Sequence, residues 1–295
     1  MGCKLLRRGF NDHYAVTDGN GARYMLRVYL HHKYWIRSEG DFRFELELLN
    51  HLQADGVGVS CALARRCGDF LGALEAPEGR RCYALFTWAP GQPAGEYTLE
   101  QSRLLGGYLA RLHRSADRFQ SPFGRYNLDT HFVIERPLEQ MRPYFETDRP
   151  EDWAFITHLA ARVRGRMAAL PTVEGAWGYI HGDAHGGNAH FTAENLITMF
   201  DFDHGGFGWR AYDLAPFVWG ASEESRAAFL EGYRSVRPLS DAEMDALPAL
   251  VKARAIWDEG DMLSFMFMWG EGLASEARLG RIVKNLRELD EKFPD

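Results

Sequence analysis

"YIHGDAHGGNAHF", residues 179–191, and "MFDFDHGGFG", residues 199–208, decide how this chain is read. Each is a short apolar run that ends in a turn carrying acids, Asp183 in the first and Asp201 and Asp203 in the second. Two acid-bearing strand ends this close together suggest a hairpin that aims both acids at one spot. The histidines of the first stretch raise a two-metal phosphoesterase as one reading. Its ligands would normally converge from separate strand ends, whereas here they are squeezed into ten residues and no early D-x-H supplies the rest. A polar Gly-rich turn with incidental histidines is the plain alternative, and the paired strand ends speak against it. Phosphoryl transfer fits better, because it needs an acid to receive a hydroxyl proton and oxygen ligands for Mg²⁺ on nucleotide phosphates. Asp183 precedes Asn188 by five residues, and Asn188 precedes Asp201 by thirteen.

The rest of the chain sets the frame. With 295 residues, 46% hydrophobic and 25% charged, it has the composition of a soluble globular protein with a sizeable core. Its net charge of −7 argues against a nucleic-acid partner, which usually demands a basic surplus. Four cysteines (Cys3, Cys61, Cys67 and Cys82) form no CxxC pair, so they read as reduced thiols of a cytoplasmic protein rather than a zinc site. The start lacks a signal peptide, and Leu6 stands where a myristoylation signal needs Ser or Thr. The apolar "MLSFMFMWG" is far shorter than the ~20 residues that span a bilayer, so no membrane partner is expected.

Strand-like residues dominate 4–30, with "DGNG" as a turn between "HYAVT" and "ARYMLRVYL". A helix follows, capped by Ser38 with Asp41 three positions on, carrying Phe42, Leu46, Leu49 and Leu52, and stopped by Gly56. Strands are expected near 69–75 and 81–88. The Pro/Gly-rich "WAPGQPAGEY" then separates a β-rich part from a helical one. Thr98 and Gln101 form a second capping box, and helices are expected at 137–147, 151–170, 222–234, 241–269 and 273–291. The fold class is therefore α+β: an N-terminal lobe over 1–88, a hinge at 89–97 and a mainly helical lobe over 98–295. A ligand site is expected in a cleft between lobes.

The Asp183/Asn188/Asp201 layout resembles the catalytic and metal-binding segments of the protein-kinase-like superfamily. In its "HGD-x-H-x-x-N" form it is similar to the aminoglycoside phosphotransferase/choline kinase family. Further segments resemble that family in order over residues 10–220. "GARYMLRVY" puts Arg27 where the phosphate-contacting lysine usually stands, and "FELELLNHLQ" puts Glu45 at its helix glutamate. "YALFTWAPG" looks like the adenine hinge around Phe86, Thr87 and Trp88, and "LRRGFNDHY" like the nucleotide loop, with Gly9 and Asn11. The resemblance implies a two-lobed kinase-like fold, a small antiparallel sheet with one helix above a larger helical lobe. It also implies ATP or GTP as co-substrate with Mg²⁺.

Asp183 would then receive the acceptor's proton, and Asn188, Asp201 and Asp203 are the candidate Mg²⁺ ligands. His181 and Asp213 would brace the loop, and His185 replaces a lysine that many protein kinases carry two positions after the base. Arg27 could instead be a surface strand residue, and Glu45 a solvated helix charge. Related proteins often carry more residues before the first strand, so a trimmed nucleotide lobe is expected. The implied activity is phosphoryl transfer to a hydroxylated small molecule such as an amino alcohol or aminoglycoside. In flavour the segments sit closest to homoserine-kinase-type and stress-response-kinase-like members, which leaves a Ser/Thr protein kinase as the alternative. In "AIWDEGDMLSFMFMWGEG", Trp257, Asp258, Glu259, Asp261, Trp269 and Glu271 could receive a cationic acceptor. Otherwise this is an amphipathic helix, with Phe265, Met266 and Trp269 in the core and its acids in solvent.

Overall fold

A computed structural model describes residues 2–30, 33–173, 175–266 and 270–294. Its contacts divide the chain into two compact units, residues 1–126, 185–205 and 223–237 in one, and 127–184, 206–222 and 238–295 in the other.

The first unit opens with β1 (Gly2–Arg8), β2 (Asn11–Thr17) and β3 (Arg23–Tyr29), followed by α1 (Glu39–Ala54), β4 (Gly72–Ala76) and β5 (Gly79–Thr87). The strands form one antiparallel sheet in the order β1-β2-β3-β5-β4. The expected β2–β3 hairpin closes at Asp18, whose Oδ1 accepts from the backbone N–H groups of Asn20 and Ala22. This side-chain mimic of a turn is the usual reason for Asp at such a position. Helix α1 begins as its sequence dictates. Ser38 Oγ accepts from Gly40 N–H, and the Asp41 carboxylate accepts from Ser38 N–H, completing the capping box. Leu46, Leu48, Leu49 and Leu52 are each at most 2% exposed, and such burial stabilises by roughly 1.5–3 kcal/mol per side chain.

The same unit holds α2 (Leu99–Ala116), again with its capping box intact, and α6 (Glu223–Arg234). Those two helices touch through glycine: a Cβ on Gly106 would stand 1.9 Å from the Phe229 carbonyl oxygen, and one on Gly232 1.9 Å from that of Arg103. A small sheet of β6 (Gln92–Pro93), β9 (Ala189–Phe191) and β10 (Ile197–Met199) completes the unit.

The second unit pairs β7 (Asn127–Leu128) and β8 (Trp177–Ile180) on either side of β11 (Gly206–Trp209). Around that sheet are α3 (Arg136–Phe145), α4 (Pro150–Ala168), α5 (Ala215–Gly220), α7 (Asp241–Ser264) and α8 (Glu276–Lys292). Helix α7 is its core element. Leu250, Val251, Ala253 and Ile256 are fully buried, and buried Lys252 donates to Asp290 at 3.1 Å.

One expectation is corrected. The two acid-bearing strands do not pair with each other: β8 pairs with β11, and β10 pairs with β9. The Gly-rich segment after Asp183 leaves room for β9, which returns to β10 through a turn with Asn195 at φ 60°. The helix expected over 241–269 ends at Ser264, and the one expected from 273 starts at Glu276. Trp269 lies outside the described residues. Among them, no helix is long and apolar enough to cross a membrane.

Candidate active site

In the first unit, a cavity of about 310 Å³ is walled by the apolar Met25, Leu49, Phe86, Trp88 and Phe200. Its polar lining is Arg7, His13, Arg27, Ser60, Asn188, His190 and Asp201. An apolar slot with a few convergent charges is the usual make-up of a small-molecule site. A larger hollow of about 770 Å³ shares only Trp88 with it and includes none of these polar groups, so its size does not make it the better candidate.

Arg27 is 6% exposed, and Glu45 is fully buried. Neither is the solvated charge that the sequence alone allowed. Arg27 Nη1 donates to Glu45 Oε1 at 2.9 Å, and Nη2 reaches Asp201 Oδ1 at 3.2 Å. Burial opposes the Arg27 charge, but Asp201 and Glu45 more than offset it and hold its pKa above the ordinary arginine value. Burial pushes the Glu45 carboxyl up, against Arg27 and Arg125. Asp201 itself has left-handed backbone angles, φ 65° and ψ 56°, a strained state for a residue with a side chain. Such strain clusters at functional positions.

Asp203 and Asn11 form a separate buried network. Lys33 Nζ donates to Asp203 Oδ2 at 2.5 Å and to Asn11 Oδ1 at 2.6 Å, and Asn11 Nδ2 donates to Asp203 at 3.2 Å. Burial would raise the Asp203 carboxyl, but Lys33, His204 and Arg27 hold it well below the usual carboxylate range. Asp203 is thus matched to an ammonium, and the Asn11 side chain braces it. Neither Gly9 nor Asn11 lines the cavity; Leu6 and Arg7 do. Thr87 does not line it either: its hydroxyl accepts from Cys61 N–H at 3.1 Å.

The Asp183 loop belongs to the second unit. Gly182 at φ 76° makes the turn that a Cβ would strain. Asp213, fully buried, accepts from the N–H groups of His181 and Gly182, each at 2.7 Å. Burial raises its carboxyl, an effect that His181 and those two N–H donors counter. His181 Nδ1 accepts from Asp183 N–H at 3.2 Å. In the first unit, His185 Nδ1 accepts from Gly187 N–H at 2.9 Å, opening the turn that presents Asn188.

Sequence reasoning missed the cations that hold the acids. Arg254 of α7 donates to Asp183 Oδ1 at 2.6 Å and to the Gly182 carbonyl at 2.7 Å, and pairs with Asp258 at 2.8 Å. Arg125 donates to the carbonyls of Gly205 and Asp203, both at 2.7 Å, and of Asp41 at 2.6 Å. Among the described acceptor candidates, two acids are withdrawn from solvent. Asp261 is 4% exposed, and Glu259 pairs with Arg278. The Trp257 ring lies 4.7 Å from the Arg254 guanidinium, so a protein cation already meets it.

Asp201 and Asn188 supply hard oxygen donors of the kind Mg²⁺ takes. Buried Asp201 Oδ1 has the Arg27 ion pair and no hydrogen bond, which leaves coordination capacity there. No group of three or more His, Cys, Asp or Glu residues able to hold a metal occurs among the described residues. The residues present fit a Mg²⁺ that nucleotide phosphates help to ligate, rather than a self-contained metal centre.

Residues 2–247 match the phosphotransferase enzyme family. The chain belongs to that family. Homoserine kinase of Azorhizobium caulinodans is 33% identical over 225 residues, covering 73% of this chain and 67% of that protein. An uncharacterized protein of Synechocystis sp. is 37% identical over 262 residues, 87% of this chain and 71% of that one. Among solved structures, a microcompartment-associated aminopropanol kinase is similar with a TM-score of 0.80 and 25% identity, over 98% of this chain and 90% of that one. Amicoumacin kinase in complex with AMP-PNP, Ca²⁺ and Ami shares the fold, with a TM-score of 0.80 and 22% identity over 99% of this chain and 89% of that one. This phosphotransferase thus has the α+β, kinase-like architecture expected of it, and its family phosphorylates hydroxyl groups of small molecules.

Proposed function

We propose that the protein moves the γ-phosphoryl group of ATP (or GTP) to a hydroxyl of a small, amine-bearing acceptor. The cavity that brings Arg27, Asn188 and Asp201 together with apolar walls carries this reading. The base would stack between Met25, Phe86 and Trp88, with its phosphates toward Arg27. Arginine clamps phosphate oxygens as a planar fork, so its replacement of the family's lysine is compatible with activity. Asn188 and Asp201 would hold Mg²⁺, which supplies charge neutralisation on the phosphates. Asp203 has its Oδ2 matched to Lys33, which leaves only its Oδ1 to assist that ion.

Asp183 receives the proton of the acceptor hydroxyl. Because phosphoryl transfer passes through a loose transition state, its larger contribution is to position that oxygen. Asp183 and Asp258 both pair with Arg254, and two carboxylates around one guanidinium favour a cationic acceptor. Relatives named for homoserine and aminopropanol act on molecules that carry both a hydroxyl and an amine.

The test is a screen of amino alcohols, homoserine and aminoglycosides for stimulated ADP or GDP release. Stimulation by one class, abolished in Asp183→Asn while nucleotide still binds, supports the reading. Full turnover by Asp183→Asn, or phosphate release from esters without nucleotide, would sink it.

A further inference from the structure

Read from sequence, Asp183 is the base and α7 a source of acceptor contacts. The geometry points to a different use of that helix: we infer that Arg254 is the positioning residue that fixes the Asp183 carboxylate, with Asp258 fixing Arg254 in turn. This rests on the phosphotransfer reading above.

Arg254 is a buried cation with a side-chain exposure of 7%, and its contacts are of an unusual kind. Nη1 takes the Gly182 carbonyl at 2.7 Å, while Nη2 takes Asp183 Oδ1 at 2.6 Å. One planar fork therefore grips a backbone atom of the turn and the carboxylate of the next residue, which sets the orientation of that carboxylate relative to the turn. Asp213 takes the N–H groups of His181 and Gly182. The Gly182–Asp183 peptide is thus held at its carbonyl by Arg254 and at its N–H by His181 Nδ1, and Asp213 holds the two N–H groups before it.

Asp258, one turn along α7, completes the clamp. Arg254 Nε donates to Asp258 Oδ2 at 2.9 Å, and Nη2 lies 2.8 Å from Asp258 Oδ1. A guanidinium has five N–H donors, and these contacts commit most of them to the protein. Arg254 is therefore a poor anchor for an anionic part of the acceptor and a good brace for Asp183. Burial opposes its charge, but Asp258 and Asp183 more than offset that cost, and Tyr212 acts in the same direction.

Arg254→Ala, Arg254→Lys and Asp183→Asn are compared with the wild type in ADP release from Mg·ATP, to water and to 1-amino-2-propanol. Nucleotide affinity is read separately with a fluorescent ATP analogue. Arg254→Ala should lower kcat by roughly 100-fold, the scale of a misplaced catalytic group, with nucleotide affinity unchanged. Arg254→Lys keeps the charge and the fold but not the fork, and should recover only part of the rate. Guanidinium chloride at millimolar concentration should restore turnover to Arg254→Ala in a saturable way, which a merely structural role would not allow. Near-wild-type kcat in Arg254→Ala, or a loss that neither lysine nor guanidinium recovers, overturns the inference. Failure of the underlying reading looks different: Asp183→Asn would then turn over as fast as the wild type.

Discussion

Asp201 meets the Arg27 guanidinium at 3.2 Å, and the same guanidinium holds Glu45 at 2.9 Å. A strained, left-handed aspartate is thereby tied to the sheet through a cation that would also face nucleotide phosphates. Replacing Asp201 with Asn removes the charge that a divalent ion needs and keeps the shape. Turnover should fall roughly a hundred- to a thousandfold, the scale of losing one preorganised electrostatic contact. A titration with Mg²⁺ should no longer saturate in the range that activates the wild type. An unaltered Mg²⁺ dependence would remove Asp201 from the metal site.

The Lys33–Asp203 pair makes a claim about stability rather than chemistry. Both side chains are at most 3% exposed, and their 2.5 Å contact is shared with Asn11. Lys33→Met leaves an unpaired buried carboxylate, which costs about 3–5 kcal/mol. Urea unfolding should show that loss, and the double variant Lys33→Met/Asp203→Asn should recover a good part of it. If the double variant is no more stable than Lys33→Met, the two residues are not partners.

That pair also shows where sequence reading stops. The capping boxes at Ser38 and Thr98 were legible because their partners stand three positions apart, a distance that local backbone geometry fixes. The order Asp183, Asn188, Asp201 was legible because one loop and one strand turn carry it. Lys33 meets Asp203 across 170 positions, and Arg254 meets Asp183 across 71. Only the folded chain brings such charges together, and in sequence each looks like any other basic residue of its strand end or helix. The pairing of β8 escaped for a related reason. Four apolar residues announce a strand, but its partner depends on how far the glycines after Asp183 let the chain travel.

Helices α2 and α6 give a second stability prediction. A Cβ at Gly106 would stand 1.9 Å from the Phe229 carbonyl oxygen, a backbone atom that cannot swing aside. Gly106→Ala should destabilise by about 1–3 kcal/mol through overpacking. Gly165 in α4 has nothing within 4 Å of the same position. Gly165→Ala should stabilise by about 0.4–1 kcal/mol, by restricting the unfolded chain. Thermal unfolding of both variants checks the contrast, and equal shifts would mean that the close approach of α2 and α6 is not real.

The last prediction concerns pH. His13 stands opposite Arg27 in the β2–β3 ladder and lines the same cavity. Burial, and then the Arg27 charge, push its imidazole down to about 4, while Asp201 and Asp203 pull the other way and Arg7 adds to the depression. The unfolded chain protonates this histidine below about pH 6.5, whereas the folded protein keeps it neutral until about pH 4. Between those values the unfolded state binds more protons, so stability rises with pH and is lost as the solution is acidified through that window. Below it both states carry the proton and the loss from this group stops growing. The whole effect is at most about 3 kcal/mol. Urea midpoints measured from pH 7 to pH 4.5 should fall for the wild type, and His13→Gln should flatten the slope by close to one proton. Parallel slopes in the two proteins would show that His13 is not held neutral in the folded state.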